Sequence, residues 1–283
     1  MDERRRYDPS LAGAVAFAIL FLATTAFHLH QRIRSHAKYF TPFIVGGIFQ
    51  VVGYGARADA HFNKTSVLVY SLQTLLILLA PTLYAASIYM TLGRIIKFLH
   101  GERLSVIPVK WLTKIFVCGD ILSFCLQAGG GGIMAQGAST TVKIGQWVLI
   151  VGLCVQLVFF GAFLIASITF HYRITLSPTV ESEKTIHHDG GLLRRDWVGL
   201  LYASYLVSMF ILVRSVYRLI EFAQGNNGYF ISHELYLYMF DALMMLQVMV
   251  VMNVFHPSVV LSSKSHQPLR SDEFELRRDE QQV

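Results

Sequence analysis

The chain has 283 residues, of which 54% are hydrophobic and 15% are charged, and its mean hydropathy is +0.48. Soluble domains carry about 25% charged residues, so these values argue against an ordinary soluble protein and exclude a disordered or collagen-like chain. The three cysteines lie in apolar runs, where we expect buried thiols rather than disulfides or metal ligands. The net charge is +6, but the basic residues lie between apolar segments, which is typical of a membrane protein and not of a nucleic-acid-binding one.

Seven segments are apolar for about 20 residues or more, the length that crosses the hydrocarbon core as a helix. They are Pro9–Gln31, Phe40–Arg57, Val67–Ile95, Leu112–Met134, Ile144–His171, Trp197–Ile220 and His233–Phe255. The sequence therefore predicts an all-α, polytopic membrane protein built as a seven-transmembrane-helix bundle. We divide it into an extracellular tail (1–8), a membrane domain (9–256) and a polar, disordered cytoplasmic tail (257–283).

The distribution of basic residues predicts the orientation. With the N-terminus outside and the C-terminus in the cytoplasm, sixteen of the 24 Lys and Arg residues lie on the inner side. These are Arg32, Arg34, Lys38, Arg94, Lys97, Arg103, Lys110, Lys114, Arg173, Lys184, Arg194, Arg195, Lys264, Arg270, Arg277 and Arg278. Asn63 begins an Asn-Lys-Thr glycosylation sequon in a loop that this orientation places outside.

Polar residues repeat at helical spacing within six of the spans. In the second span Gly46, Gln50, Gly53 and Arg57 follow i, i+4, i+7 and i+11. The later stripes contain Gln73, Ala80, Tyr84, Ser87 and Thr91; Asp120, Ser123, Gln127 and Gly131; Gly152, Gln156, Ser167 and His171; Arg214, Arg218 and Glu221; and Glu234, Tyr238 and Asp241. A charge at mid-bilayer costs about 2.5–3.5 kcal/mol, so we predict that these stripes face a polar seam or cavity inside the bundle.

Two interpretations of the polar residues stay open at the sequence level. Isolated glutamines commonly hold helices together, at about 0.6–2 kcal/mol per hydrogen bond. The charged set of Asp120, Arg214, Arg218 and Asp241 either forms a structural ion-pair network or lines a cavity. Glu221 and the glutamate at 234 flank a Gly-Asn-Asn-Gly turn, where they either bind a cationic head group or lie in solvent.

Two backbone features favour movement. Pro81 has no N–H group, so the carbonyl of Ile77 loses its helical partner and a kink is expected. The four glycines of Gly129–Gly132 form a poor helix, and we expect them either to unwind beside the cavity or to form an outer loop.

Motifs of catalysis are not found in the sequence. It contains no Walker loop, no Gly-x-Ser-x-Gly and no zinc-hydrolase signature. The eleven histidines cluster at span ends and loops rather than converging at one depth. We therefore expect no enzyme and no cofactor, and keep an intramembrane lipid hydrolase only as a minor alternative.

Several multi-residue motifs occur in one order along the chain, namely Gly53–Arg57, Gln73–Pro81 with Ala85–Met90, Phe116–Asp120 with Ser123-Phe124 and Gln127, and Arg214–Glu221 followed by Gly225, Gly228, Glu234, Tyr238 and Asp241. In these motifs the chain resembles the fungal RTA-like family of lipid-translocating exporters. The resemblance extends from about Pro9 to Pro257. Gln50 departs from it, since we expect a glutamate there in many members.

The resemblance implies a seven-helix protein, often of the plasma membrane, that exports sphingoid long-chain bases or toxic amphiphiles and contributes to resistance to toxic compounds. It assigns substrate contacts to Arg57, Gln73, Asp120, Gln127, Arg214, Arg218, Glu221, Glu234 and Asp241. We therefore predict a translocator whose partners are membrane lipids or amphiphilic small molecules, with no nucleic acid bound. The alternative is a seven-helix sensor or receptor-like protein, which would need the same polar site.

Overall fold

The computed structural model describes residues 10–62, 67–134, 139–184, 196–224 and 234–261. These residues form helices and turns without a strand, which confirms the all-α prediction. The α-helices are α1 (Leu11–Ser35), α2 (Thr41–Phe62), α3 (Val67–Phe98), α4 (Val109–Met134), α5 (Ser139–Leu176), α6 (Val180–Lys184), α7 (Trp197–Gln224), α8 (Glu234–Leu237), α9 (Leu243–Val254) and α10 (Pro257–Leu261). A π-helical turn, Tyr238–Ala242, joins α8 to α9.

Within the described ranges, six helices are long and apolar enough to cross a membrane, so the protein is a multi-pass membrane protein. They comprise α1, α2, α3, α5, α7 and the continuous stretch Leu235–Val254. The remaining predicted span corresponds to α4, whose 26 residues extend for about 39 Å. Since α4 is not among the six, the seven-span topology stays a prediction, as does the orientation. Asn63 and the first nine residues lie outside the described ranges.

The helices pack mainly against their neighbours in sequence, and α3 occupies the middle of the bundle. Helices α1 to α5 pack in order, α5 packs on α7, and α7 packs on α9, which returns to α1. In α3, 72% of an 18-residue apolar stretch is buried within the protein, against 22% of the corresponding stretch in α1. Helix α3 also contacts α7, and the π-helical turn packs on α7 as well, so these three elements meet inside the bundle.

Helices α4 and α5 approach so closely that their glycine backbones touch. A Cβ atom at Gly130 would lie 2.6 Å from the carbonyl oxygen of Gly145, and one at Gly152 would lie 2.9 Å from Gln127. The expectation that Gly129–Gly132 unwind or form a loop is wrong, because α4 stays helical through Met134. Close contact with α5 at Gly130 compensates for the poor helix propensity of glycine.

The surface that faces away from the bundle is apolar. Large exposed side chains include Ile19, Ile121, Val158 and Ile165. The three cysteines, Cys118, Cys125 and Cys154, also lie exposed there, so the expectation of buried thiols is wrong. An apolar run indicates burial in a soluble protein, but in a membrane helix it is equally consistent with contact to lipid.

The predicted polar stripes face the inside of the bundle. Gln50, Gln73, Asp120, Gln127 and Gln156 are all buried, as are the charged residues of α7. In the stripe of the fourth span, Gly131 is the exception, because Gly130 takes the buried position on α4. The stripes therefore form a polar seam that is closed in this conformation.

Candidate functional site

A buried ion pair between Arg214 of α7 and Asp241 of the π-helical turn forms the centre of the seam. The Nε atom of Arg214 donates to Oδ1 of Asp241, and each residue is 1% exposed. Arg214 lies ten residues from the end of α7, about 15 Å along the helix axis, so the pair sits well inside the membrane. A charge at that depth needs a partner, and each residue supplies one for the other.

The same guanidinium group repairs the break that Pro81 makes in α3. Because Pro81 has no N–H group, the carbonyl of Ile77 loses its donor within the helix. The Nη2 atom of Arg214 donates to this oxygen at 3.1 Å, and α3 continues through Pro81 without a break. Pro81 thus leaves the carbonyl of Ile77 without a donor in α3, as predicted, and Arg214 of α7 supplies a donor in its place.

The π-helical turn determines where Asp241 points. This single turn between α8 and α9 contains one residue more than a regular α-helical turn. Such π-turns occur frequently at functional sites. The turn starts at Tyr238, whose hydroxyl accepts a hydrogen bond from Nε of Arg57 at 3.4 Å. Tyr238 also stacks on Phe17 of α1, with ring centroids 5.3 Å apart. Arg57 of α2 is thereby held beside the Asp241 turn.

A second ion pair lies nearer the end of α7. The Nη1 atom of Arg218 donates to Oε2 of Glu221 at 2.7 Å, and Glu221 is 8% exposed. The charges of Arg57, Arg214 and Asp241 also act on the Glu221 carboxylate. The alternative in which Glu221 lies in solvent is therefore wrong. We call Arg57, Arg214, Arg218, Glu221 and Asp241 the charge cluster.

Several buried polar atoms beside the charge cluster have no hydrogen-bond partner among the described residues. They are both amide atoms of Gln50, the hydroxyl of Tyr54 and Oδ2 of Asp241. Tyr54 interacts electrostatically with Asp241, Arg57 and Arg214, and Gln50 lies one turn before Tyr54 on α2. Buried polar atoms are usually satisfied, and an unsatisfied one costs about 1–3 kcal/mol. A group of them indicates a place where water or a polar ligand binds.

A second polar group, the Asp120 cluster, lies between α3, α4 and α5. The Nε2 atom of Gln127 donates to Ser123 at 2.7 Å and to Oε1 of Gln156 at 3.0 Å. The bond between Gln127 and Gln156 joins α4 to α5, which matches the interpretation of Gln156 as a residue that holds helices together. Asp120, one turn away from Ser123, is buried beside Tyr89 of α3. It forms no ion pair with the charge cluster, which contradicts a network that includes all four charged residues.

The predicted site residues are thus divided between the two clusters. Arg57, Arg214, Arg218, Glu221 and Asp241 meet in the charge cluster, whereas Asp120 and Gln127 lie in the Asp120 cluster. Gln73 is buried on α3, one turn from Ile77, and its Oε1 has no partner among the described residues. Glu234 begins α8, but its side chain lies outside what the structure describes, as does the turn at 225–233.

Two tyrosines at these clusters escaped the sequence prediction. Tyr54 follows Gln50 by four residues and precedes Arg57 by three, so the helical spacing alone places it on the same face. Tyr89 lies two residues from both Ser87 and Thr91, about 200° around the helix from either. It therefore faces α4 and α5 rather than the stripe of α3, and only the packing of the helices brings it to Asp120.

Three of the described histidines, His28, His171 and His256, take packing positions that lie apart from both clusters. His28 Nε2 lies 3.0 Å from the carbonyl oxygen of Met249, and its ring packs at 4.8 Å on Phe43. The His256 ring packs at 4.9 Å on Phe40, and its Nδ1 lies 2.6 Å from the hydroxyl of Ser258. His171 stacks on Tyr205 at 5.9 Å. These positions agree with the dispersed distribution of histidines in the sequence.

Comparison with known proteins gives one family and several relatives. The family described as RTA1 like protein matches residues 43–264. Protein RTM1 of Saccharomyces cerevisiae is 34% identical, over 88% of this chain and 90% of that protein. Protoporphyrin uptake protein 1 of the same species is 35% identical, over 88% and 90%. Sphingoid long-chain base transporter RSB1 of S. cerevisiae is 28% identical, over 91% and 74%. No solved structure matches the chain significantly.

Proposed function

This chain belongs to the RTA1-like protein family, and from that premise we propose that it moves amine-bearing amphiphiles, such as sphingoid long-chain bases, across a membrane. The relatives named as a sphingoid base transporter and as a protoporphyrin uptake protein support a role in lipid or amphiphile transport rather than catalysis. We place it in the plasma membrane, with seven spans and the N-terminus outside. Export of toxic amphiphiles would then contribute to resistance.

The observation that carries the proposal is the set of unsatisfied polar atoms beside the Arg214–Asp241 pair. A sphingoid base has an ammonium group and hydroxyl groups on one end of an alkyl chain. Its ammonium group would donate to Oδ2 of Asp241, and its hydroxyl groups would bind the amide of Gln50 and the hydroxyl of Tyr54. Such a ligand satisfies both the acceptors and the donors that the protein leaves open.

The charge cluster also suggests how the head group enters. Arg218 and Glu221 lie one and two turns from Arg214 towards the end of α7, on the side we predict to be outer. They extend the polar seam by about 10 Å from the central pair. A head group that moves along the seam keeps polar partners, while its alkyl chain stays in contact with lipid.

Reconstitution tests the proposal directly. The purified protein is placed in liposomes that contain a tail-labelled fluorescent sphingoid base, and stopped-flow quenching with dithionite measures movement between leaflets. We expect the wild type to raise the rate about tenfold above protein-free vesicles. The Arg214→Met/Asp241→Leu variant, which removes both charges together, should fall to the protein-free rate. Glu102→Gln, at an exposed position between α3 and α4, is the matched control and should behave as wild type.

Two results would contradict the proposal in different ways. If the wild type moves no probe under any condition, translocation is wrong and the sensor interpretation gains support. If the double variant moves the probe as fast as wild type, the chain is a translocator whose head-group site lies elsewhere.

A further inference from the structure

Asp120 differs from Asp241 in that it has no basic partner among the described residues. It is 3% exposed, and neither carboxylate oxygen has a hydrogen-bond partner in the described ranges. It lies eleven residues into α4, about 16 Å along the axis, which is close to the middle of the bilayer. An ionised carboxylate at that place would be strongly disfavoured.

The groups packed around Asp120 do not compensate a negative charge. From α3, the titratable side chain that faces it is Tyr89, whose hydroxyl interacts with the carboxylate without meeting hydrogen-bond geometry. From α5, Phe159 packs over the neighbouring Gly119, and Phe163 lies 4.5 Å from Tyr89 between ring centroids. No titratable side chain of α5 faces Asp120 in the described residues. In this closed conformation the carboxyl group is therefore best accommodated with a proton.

A row of polar side chains continues from Asp120 along α4. Ser123 and Gln127 follow at i+3 and i+7, and the amide of Gln127 joins the hydroxyl of Ser123 to the amide of Gln156. The row ends one turn before Gly131 and Gly132, where an added Cβ would meet no atom within 4 Å. Hydroxyl and amide groups in such a row can hold the water that a proton needs to reach a buried carboxylate.

We propose that Asp120, with Tyr89 beside it, is the proton-exchange site that couples translocation to a proton gradient. A proton from water on one side bonds to a carboxylate oxygen of Asp120, and the same proton leaves to water on the other side after the bundle rearranges. Asp241, by contrast, is paired with Arg214 in this conformation, so its charge is compensated without a proton. This inference rests on the proposed function, and assigns the two buried aspartates separate tasks.

The test compares probe movement with and without a gradient in liposomes that contain the labelled sphingoid base. Protein-free vesicles under the same gradient are subtracted, because a weak base redistributes through the bilayer by itself. One proton per substrate and one pH unit permit up to about tenfold additional accumulation. We expect the wild type to approach this value, Asp120→Asn to exchange probe within about twofold of wild type but ignore the gradient, and Asp120→Glu to respond to it.

A stability measurement provides a readout that does not depend on transport. Asparagine closely mimics a carboxyl group that carries a proton, so Asp120→Asn should unfold at the same temperature as wild type in detergent. A lower unfolding temperature for this variant would mean that the carboxylate is ionised and stabilising in the closed state, which would overturn the proposal.

Each transport result also decides between the two proposals. If Asp120→Asn follows the gradient as wild type does, Asp120 is not the coupling site. If this variant is folded but has lost exchange as well, Asp120 belongs to substrate binding and the coupling assignment is wrong. If the wild type exchanges probe but does not respond to the gradient, the proposed translocation is supported and the proposed proton coupling is wrong. If the wild type moves no probe at all, both proposals fail.

Discussion

Replacing Arg214 by methionine should be the most damaging single change in the charge cluster. The substitution leaves Asp241 as an unpaired charge that is 1% exposed, and removing one partner of a buried pair costs about 3–5 kcal/mol. It also removes the donor to the carbonyl of Ile77, which costs about 1–3 kcal/mol when that oxygen stays unsatisfied. The total is on the order of 5 kcal/mol, comparable to the whole stability of many domains.

Two further substitutions should each restore part of the stability that Arg214→Met loses. Arg214→Met/Asp241→Leu removes the unpaired carboxylate, so the cost that remains is that of the Ile77 carbonyl, about 1–3 kcal/mol. Adding Pro81→Ala supplies the missing N–H group within α3 and should recover most of that remainder. The triple variant is then expected to be about as stable as wild type but inactive in transport.

Unfolding by SDS, followed by the far-UV circular dichroism of protein in mixed micelles, measures each step. The Pro81→Ala single variant is the control, because in it the new N–H group competes with Arg214 for the same carbonyl and should add little stability. The reasoning is refuted if the double variant is no more stable than Arg214→Met. It is also refuted if Pro81→Ala adds as much to wild type as to the double variant.

Three other predictions concern packing, pH and orientation. Gly130→Ala should destabilise the α4–α5 contact by about 1–3 kcal/mol, because its Cβ would lie 2.6 Å from a backbone oxygen, whereas Gly129→Ala meets no atom within 4 Å and should be neutral or better in the same unfolding assay. Burial lowers the pKa of His256 from 6.5 to about 4, so the unfolded chain gains a proton first as pH falls. Stability should decrease by on the order of 3 kcal/mol across that window, and thermal unfolding of His256→Phe should show a smaller pH effect. Asn63 should carry a glycan that a glycosidase removes with a mobility shift, while a sequon engineered at residues 36–40 stays unmodified; the opposite pattern would reverse the predicted orientation.

Much of the fold could be predicted from the sequence, because a lipid environment restricts the structures that a chain can form. A helix that crosses a bilayer must satisfy its own backbone and hide its charges, so apolar length predicts the helix and polar spacing predicts its inner face. The faces of Gln50 and Arg57 on α2, and of Arg214 and Glu221 on α7, were correct for this reason. The cysteines were predicted wrongly, since lipid and protein interior favour the same side chains.

Contacts between the helices could not be read in the same way. Helical spacing indicates which residues of one helix share a face. It does not indicate which face of another helix lies opposite, at what depth in the membrane the two faces meet, or where a π-turn changes the register. Packing decided that Arg214 meets both Asp241 and the carbonyl freed by Pro81, and that Asp120 stands apart beside Tyr89. The sequence alone determined a helical membrane protein with a handful of inward charges; the tertiary structure separated those charges into a paired cluster and a single buried acid, because pairing depends on distances between helices that no single helix encodes.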